Sequence, residues 1–409
     1  MVLATILAAL VLSSPEQAQT KYVYPKPMFD TFFPQPTGKN GFEDYIRASD
    51  MLLNEPAQGL LDALFAARRN HKLSPTSPYA RQSYLTLCKK SLDMLGDIFV
   101  AIETGNKKVV IDPRTKLIVD MELPERQWFY HVVNTLGDLA YARYSRGESK
   151  VGTNILCQGL LFVRNTSGPL PFMRTQPTEL SKYLFERLDG HLGQLSREDA
   201  RLIVDCANDL LAQPPIARSM FDVERQLFVD FLGALSRRDF DLIGRYWFDG
   251  EAGSFREEVL FVKDAIGKLS QADLDRLVQR MAQTGEKWFA DASAALAKAE
   301  SDWTIVGMQS PDPLENRLCH HWSNYSWAPS AREQTQLRLM RLHGLIIAYR
   351  WENNQLPVDL EALNAPEAIV DPLAKTQFVY KPTPAGTYEL YSRGGNAYGR
   401  IDLKYVKGA

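Results

Sequence analysis

Cysteine is scarce: the 409 residues hold only Cys88, Cys157, Cys206 and Cys319, none close enough to another to make a CxxC pair. Zinc-ribbon and thioredoxin-like sites need paired thiols at short spacing, so both are excluded. An even count leaves room for up to two disulfides, although a chain long enough to bury a real core does not depend on them. Cys88 and Cys206 stand in helical apolar patterns, where a thiol serves as a small buried hydrophobe. A surplus of charge is also missing, with 47 basic against 49 acidic residues and a net charge of -2. Nucleic-acid binding draws on clustered Lys and Arg to neutralise phosphates, so no nucleic-acid partner is expected. The chain has no G-x-S-x-G elbow, no G-x-x-x-x-G-K-[ST] loop and no nucleophile in a recognisable local signature. No motif names a reaction.

Long hydrophobic runs are absent too. The longest, Met1 to Leu12, is broken by Thr5 and stops at Ser13-Ser14-Pro15-Glu16, short of the ~20 apolar residues that span a bilayer. It reads as the core of a signal peptide over residues 1–20, with a short buried N-terminal helix as the alternative. Export to the periplasm or exterior, with no stable membrane span, is the resulting expectation. Residues 21–40 carry Pro25, Pro27, Pro34, Pro36 and Gly38 without helical period and read as a tether.

What the chain does have is helical periodicity. With 45% hydrophobic residues it can bury a substantial core. A helical body is expected over 41–300, beginning with two helices divided at Pro56. Leu85, Cys88, Leu92, Leu95, Phe99 and Ile102 form one stripe at steps of three and four. Phe129, Val132, Leu136 and Leu139 form a second, which predicts an antiparallel helix pair. Between them Val109-Val110-Ile111 and Leu117-Ile118-Val119 flank Asp112-Pro113, an isolated β-hairpin. Further on, the segment from Leu192 to Asp199 is echoed from Ile266 to Asp273. In both, a Gly closes one helix and a Ser with an Asp three residues later opens the next, so two related helical hairpins are expected. Stacked repeat arrays usually need three units, and a third match is missing.

Periodicity fails between 301 and 329, which reads as an aromatic linker. Beyond it, Leu337 to Trp351 is apolar almost all round and must be wrapped. Gln377 to Tyr380 and Thr387 to Tyr391 are strand-like, so residues 330–409 should form a small α+β unit. The fold class is therefore mainly α, a helical-hairpin body followed by that unit. In order, Ala348-Tyr349-Arg350, Asn354-Gln355-Leu356-Pro357, Leu360, Leu363, Asp371-Pro372, Tyr380 and Tyr388 to Gly395 resemble the globular end of type II secretion major pseudopilins. The resemblance covers about the last 75 residues and implies a helix packed on a small sheet. In that family acidic residues near the last loop hold calcium. Here Asn396-Ala397-Tyr398-Gly399 replaces them and only Asp402 follows, too few oxygen ligands for calcium.

Candidate chemistry is sparse. Cys319-His320-His321 is the densest group of metal-ligating side chains, but adjacent ligands lack the spaced pairs of a structural zinc site, and a free polar loop is the simpler reading. Neither a metal nor a cofactor is expected. Trp322, Tyr325 and Trp327 could stack on a sugar or anchor a partner, or else seal the junction with the C-terminal unit. Tyr246-Trp247-Phe248 is a second aromatic group. Asp205 and Asp209, four apart on one helix face, read as solvated, and Glu224-Arg225 and Arg237-Arg238-Asp239 as surface charge. The leading expectation is an exported, non-catalytic interaction or scaffold protein with a protein or envelope glycan as partner. An envelope polysaccharide hydrolase and a secretion-apparatus component are the alternatives, since an acid pair drawn from distant parts of the chain leaves no trace in spacing.

Overall fold

The computed structural model describes residues 40–74, 76–108, 124–166, 176–189, 191–193, 195–212, 225, 228–229, 231–240, 243, 255–296, 307–319, 328–394 and 401–402. The expected leader, the tether up to residue 39, the hairpin around Asp112, Tyr246 to Phe248 and the linker residues His320 to Trp327 lie outside them. Within them the protein is mainly helical, with small antiparallel sheets near the C-terminus.

The helices begin at capped turns. Asn40 caps α1 (Gly41–Asp50), Asn54 caps α2 (Glu55–Leu73) and Ser77 caps α3 (Pro78–Asn106), each side chain accepting from a first-turn N–H. Pro56 and Pro78 sit in first turns, where no intrahelical donor is needed, so Pro56 starts a helix as the sequence implies. The buried line of α3 runs through Tyr84, Cys88, Ser91, Leu95, Ile98 and Ile102, which leaves Leu85, Leu92 and Phe99 half-buried on its flank. Ser91 tolerates burial because its hydroxyl donates to the Cys88 carbonyl at 2.6 Å.

α4 (Pro124–Ser145) packs on α3, and the bond from Tyr84 in the second turn of α3 to Asp138 late in α4 makes the pair antiparallel. α5 (Ser149–Thr166) follows through a three-residue turn. Gly147 there takes φ 76°, and the N–H groups of Gly147 and Glu148 close on the Tyr144 and Arg143 carbonyls. α6 (Gln176–Asp189) and α7 (Arg197–Ala212) complete this stretch of the bundle.

The two echoed junctions are helix starts. Ser196 Oγ accepts from Asp199 N–H at 3.1 Å while the Asp199 carboxylate accepts from Ser196 N–H at 2.8 Å, a reciprocal cap. Ser270 Oγ accepts from Asp273 N–H at 3.1 Å at the start of α9 (Gln271–Leu296), which follows α8 (Phe255–Gly267). Ser196→Ala and Ser270→Ala should each lower stability by ~0.5–2 kcal/mol, read as a shift in urea midpoint. Unchanged midpoints in both would remove the capping role.

The hydrophobic residues gather into two clusters whose limits differ from the sequence boundaries. Residues between 42 and 210 share one core with residues between 337 and 401. Residues between 228 and 319 build another, around Phe231, Ile266, Met281 and Phe289. Part of the expected linker belongs to the second: Asp312 caps the short helix α10 (Pro313–Leu318), and Leu318 and Cys319 are buried. Cys319 is thus no free surface loop residue, and burial pushes its thiol up to about 12. Arg238, expected as surface charge, instead takes φ 54° and donates to the Leu269 carbonyl at 2.7 Å, tying its turn to the α8–α9 junction. All four cysteines are buried free thiols, so no disulfide forms.

α11 (Ala328–Asn353) is wrapped as expected. Leu337, Leu339, Met340, Leu342, Ile346 and Ile347 are buried, chiefly against α7. Gly344 permits this approach, because a Cβ there would lie 2.7 Å from Val204 Cγ2 and 2.9 Å from the Ala200 carbonyl oxygen. The other side is covered by strands. β1 (Val370–Asp371) pairs with β2 (Thr376–Gln377), and β3 (Val379–Pro382), β4 (Tyr388–Ser392) and β5 (Ile401–Asp402) form an antiparallel sheet in the order β3-β4-β5. The expected strand from Gln377 to Tyr380 is split at Phe378, whose N–H donates to Ile369 O and whose ring is buried. In β4, Tyr388 and Leu390 face the core and Glu389 faces water, a period of two.

Candidate functional site: a buried charge cluster in the helical bundle

The largest concentration of polar chemistry lies inside the first core, between α2, α3, α4 and α6. Asn134 and Asp138 lie one turn apart on α4, on the side away from the stripe of Phe129, Val132, Leu136 and Leu139, and Asp138 is 0% exposed. Arg68 on α2 reaches in with both terminal nitrogens: Nη2 donates to Asp138 Oδ2 at 2.5 Å and Nη1 to Asn134 Oδ1. The Tyr84 hydroxyl donates to Asp138 Oδ1, and Arg187 Nη2 on α6 approaches the same oxygen at 3.5 Å. Gly137 provides the passage for Arg187, since a Cβ at that position would stand 3.2 Å from the arginine Cγ.

A column of rings encloses these charges. His71 stacks on Tyr84 at 5.7 Å between centroids, Tyr84 stacks on Tyr141 at 5.2 Å, and the Arg187 guanidinium lies over both tyrosines, at 5.1 and 5.8 Å. His191 continues the column onto Tyr144 at 4.0 Å, and the Tyr144 hydroxyl is 2.7 Å from Thr153 Oγ1.

The electrostatics fix the protonation states of the neighbours. Burial, and then the adjacent Asp138 charge, raise the Tyr84 phenol and the Cys88 thiol far above their usual ranges, so both stay protonated. His71 is held below the usual histidine range by burial first and then by the Arg187 and Arg81 charges. His131 is lowered by burial and by Arg68. The cluster therefore contains two guanidinium cations, one carboxylate whose two oxygens are both engaged, and neutral rings.

No family of known proteins, no curated protein and no solved structure matches the chain. The site must be read from its own geometry.

That geometry differs from the sequence expectation in place and kind. Trp322, Tyr325 and Trp327 lie outside the described residues, and the described partner of their cluster, Cys319, faces the second core. Among the described residues no group of three His, Cys, Asp or Glu side chains could hold a metal ion, and no helix is long and apolar enough to cross a membrane. Asp205 and Asp209 are exposed, as solvated carboxylates should be. Of the Asp138 cluster, the sequence carries only the one-turn spacing of Asn134 and Asp138 on α4, opposite its apolar stripe. Their partners come from three other helices, up to 70 residues away. A shallow hollow of about 430 Å³ also opens beside β2 and β3, lined by Thr376, Gln377, Phe378, Val379, Tyr380 and Arg393, with no carboxylate among them.

Proposed function

We propose that this chain is an exported, non-catalytic scaffold or interaction protein, a helical bundle that displays the C-terminal α+β unit in the cell envelope. The observation that carries this reading is the use to which buried carboxylates are put. Asp138 is spent on Arg68, Tyr84 and Arg187. Glu315 is spent on Arg280 Nε at 2.7 Å and Ser310 Oγ at 2.6 Å, Glu333 pairs with Arg164 across α5 and α11, and Asp199 closes a helix cap. A hydrolase would hold a pair of carboxylates apart around a cleft, free to move protons. Three of these hold helices together and Asp199 caps its own.

Exposed apolar side chains support a binding role. Tyr79 is 83% and Leu73 72% exposed, and the pair flanks the turn between α2 and α3. Large side chains left in water at a loop tip are available to a partner. In the producing cell, mature protein recovered from the envelope should begin between Ser13 and Thr20, and a photo-crosslinker at Tyr79 should give a discrete adduct there. Purified protein should release no reducing ends from envelope polysaccharide. Intact Met1 on a cytoplasmic product would defeat the export reading. Reducing-end release that is lost in Asp138→Asn would replace the scaffold by the hydrolase.

A further inference from the structure

The open edge of the charge cluster carries more cation than it can use. Arg68 bonds Asp138 at 2.5 Å and so neutralises the one carboxylate in the cluster. Arg187 reaches that carboxylate only at 3.5 Å, and its side chain keeps 15% exposure. Arg81 is exposed and, among the described residues, makes no ion pair. It lies one turn before Tyr84 on the same face of α3, and Tyr84 is the ring on which His71 stacks and over which Arg187 lies. Both guanidinium charges are felt at the His71 ring. The other nearby cation, Lys72, is already paired with Glu186 at 2.6 Å. Two buried nitrogens of the same cluster, Arg68 Nε and His71 Nδ1, also lack a hydrogen-bond partner among the described residues, although buried polar atoms are almost always paired.

We propose that Arg187, Arg81 and His71 form a binding site for a phosphate-type dianion at this end of the bundle. Two surplus guanidinium charges match a dianion, and the planar fork of Arg suits the edge of a tetrahedral oxyanion. Tyr84 and Tyr141 beneath Arg187 hold its guanidinium by stacking, so the cation is preorganised before any anion arrives. This role is independent of export and of the protein's partners.

The test uses the full chain and inorganic phosphate, titrated by calorimetry at constant ionic strength set with sodium chloride. Saturable binding is expected, together with a rise in Tm that grows with phosphate concentration by mass action. Arg81→Ala should weaken binding at least tenfold without moving the urea midpoint, because Arg81 is exposed and outside the Asp138 network, while Arg81→Lys, which keeps the charge and loses the fork, should fall between that variant and the unchanged chain. A phosphorylated sugar that binds more tightly than inorganic phosphate would make a glycan-borne phosphate the ligand; equal binding would make it the free anion. The proposal is overturned by the absence of saturation, by an equal response to chloride alone, or by unchanged phosphate binding in Arg81→Ala.

Discussion

Asp138→Ala should destabilise the protein by ~3–5 kcal/mol, the cost of breaking a buried ion pair from one side. Asp138 is the common acceptor for Arg68, Tyr84 and Arg187, so its removal leaves a guanidinium that is only about 10% exposed, and a phenol that is fully buried, without their main partner. The penalty is the desolvation of those donors, and their attraction to Asp138 is a smaller matter. A second variant separates the two. In Arg68→Met/Asp138→Leu the Arg68 charge disappears with its partner, so the part of the loss that comes from Arg68 should return, while Tyr84 and Arg187 still lack their acceptor. The measurement is the urea midpoint of each variant, with the slope checked for constancy. If the double variant is as unstable as Asp138→Ala, the loss comes from packing around α4 and the electrostatic account fails.

Helical content, the two Ser-opened junctions and the wrapped C-terminal helix were legible in the sequence because each depends on neighbours within four residues. Ser196 and Asp199 cap one another across a single turn, and the apolar circumference of α11 is a property of its own residues. The Asp138 cluster was not legible, because Arg68, Tyr84 and Arg187 meet Asp138 only once four helices have packed. Cys319 is instructive in another way. The sequence around it has no helical period over a window of normal length, yet Asp312 and Pro313 suffice to start a six-residue helix that carries it into a core. The α3 stripe keeps Cys88, Leu95 and Ile102 and exchanges Leu85 for Tyr84, whose hydroxyl finds Asp138 in the interior.

Ile346→Ala should cost ~2–5 kcal/mol, the usual range for emptying a fully buried aliphatic site. Ile346 is 0% exposed on α11, on the same face as His343 one turn earlier and on the opposite side from Gly344. On that face His343 Nδ1 is 2.8 Å from the Tyr388 hydroxyl, which ties the helix to β4, while Gly344 faces α7. α11 thus contributes one face to the bundle and one to the sheet, and residues of both belong to a single hydrophobic cluster. The shape of the unfolding curve follows from that sharing. The loss should appear as a shift of the transition in which α7 and the C-terminal strands melt together, followed by hydrogen exchange at Ile203 and Leu390. Leu345→Ala, at a half-buried neighbouring position, should shift the same transition less. An early, separate melting of residues 328–402 in Ile346→Ala, with exchange at Ile203 unchanged, would mean that the C-terminal unit folds on its own and only leans on the bundle.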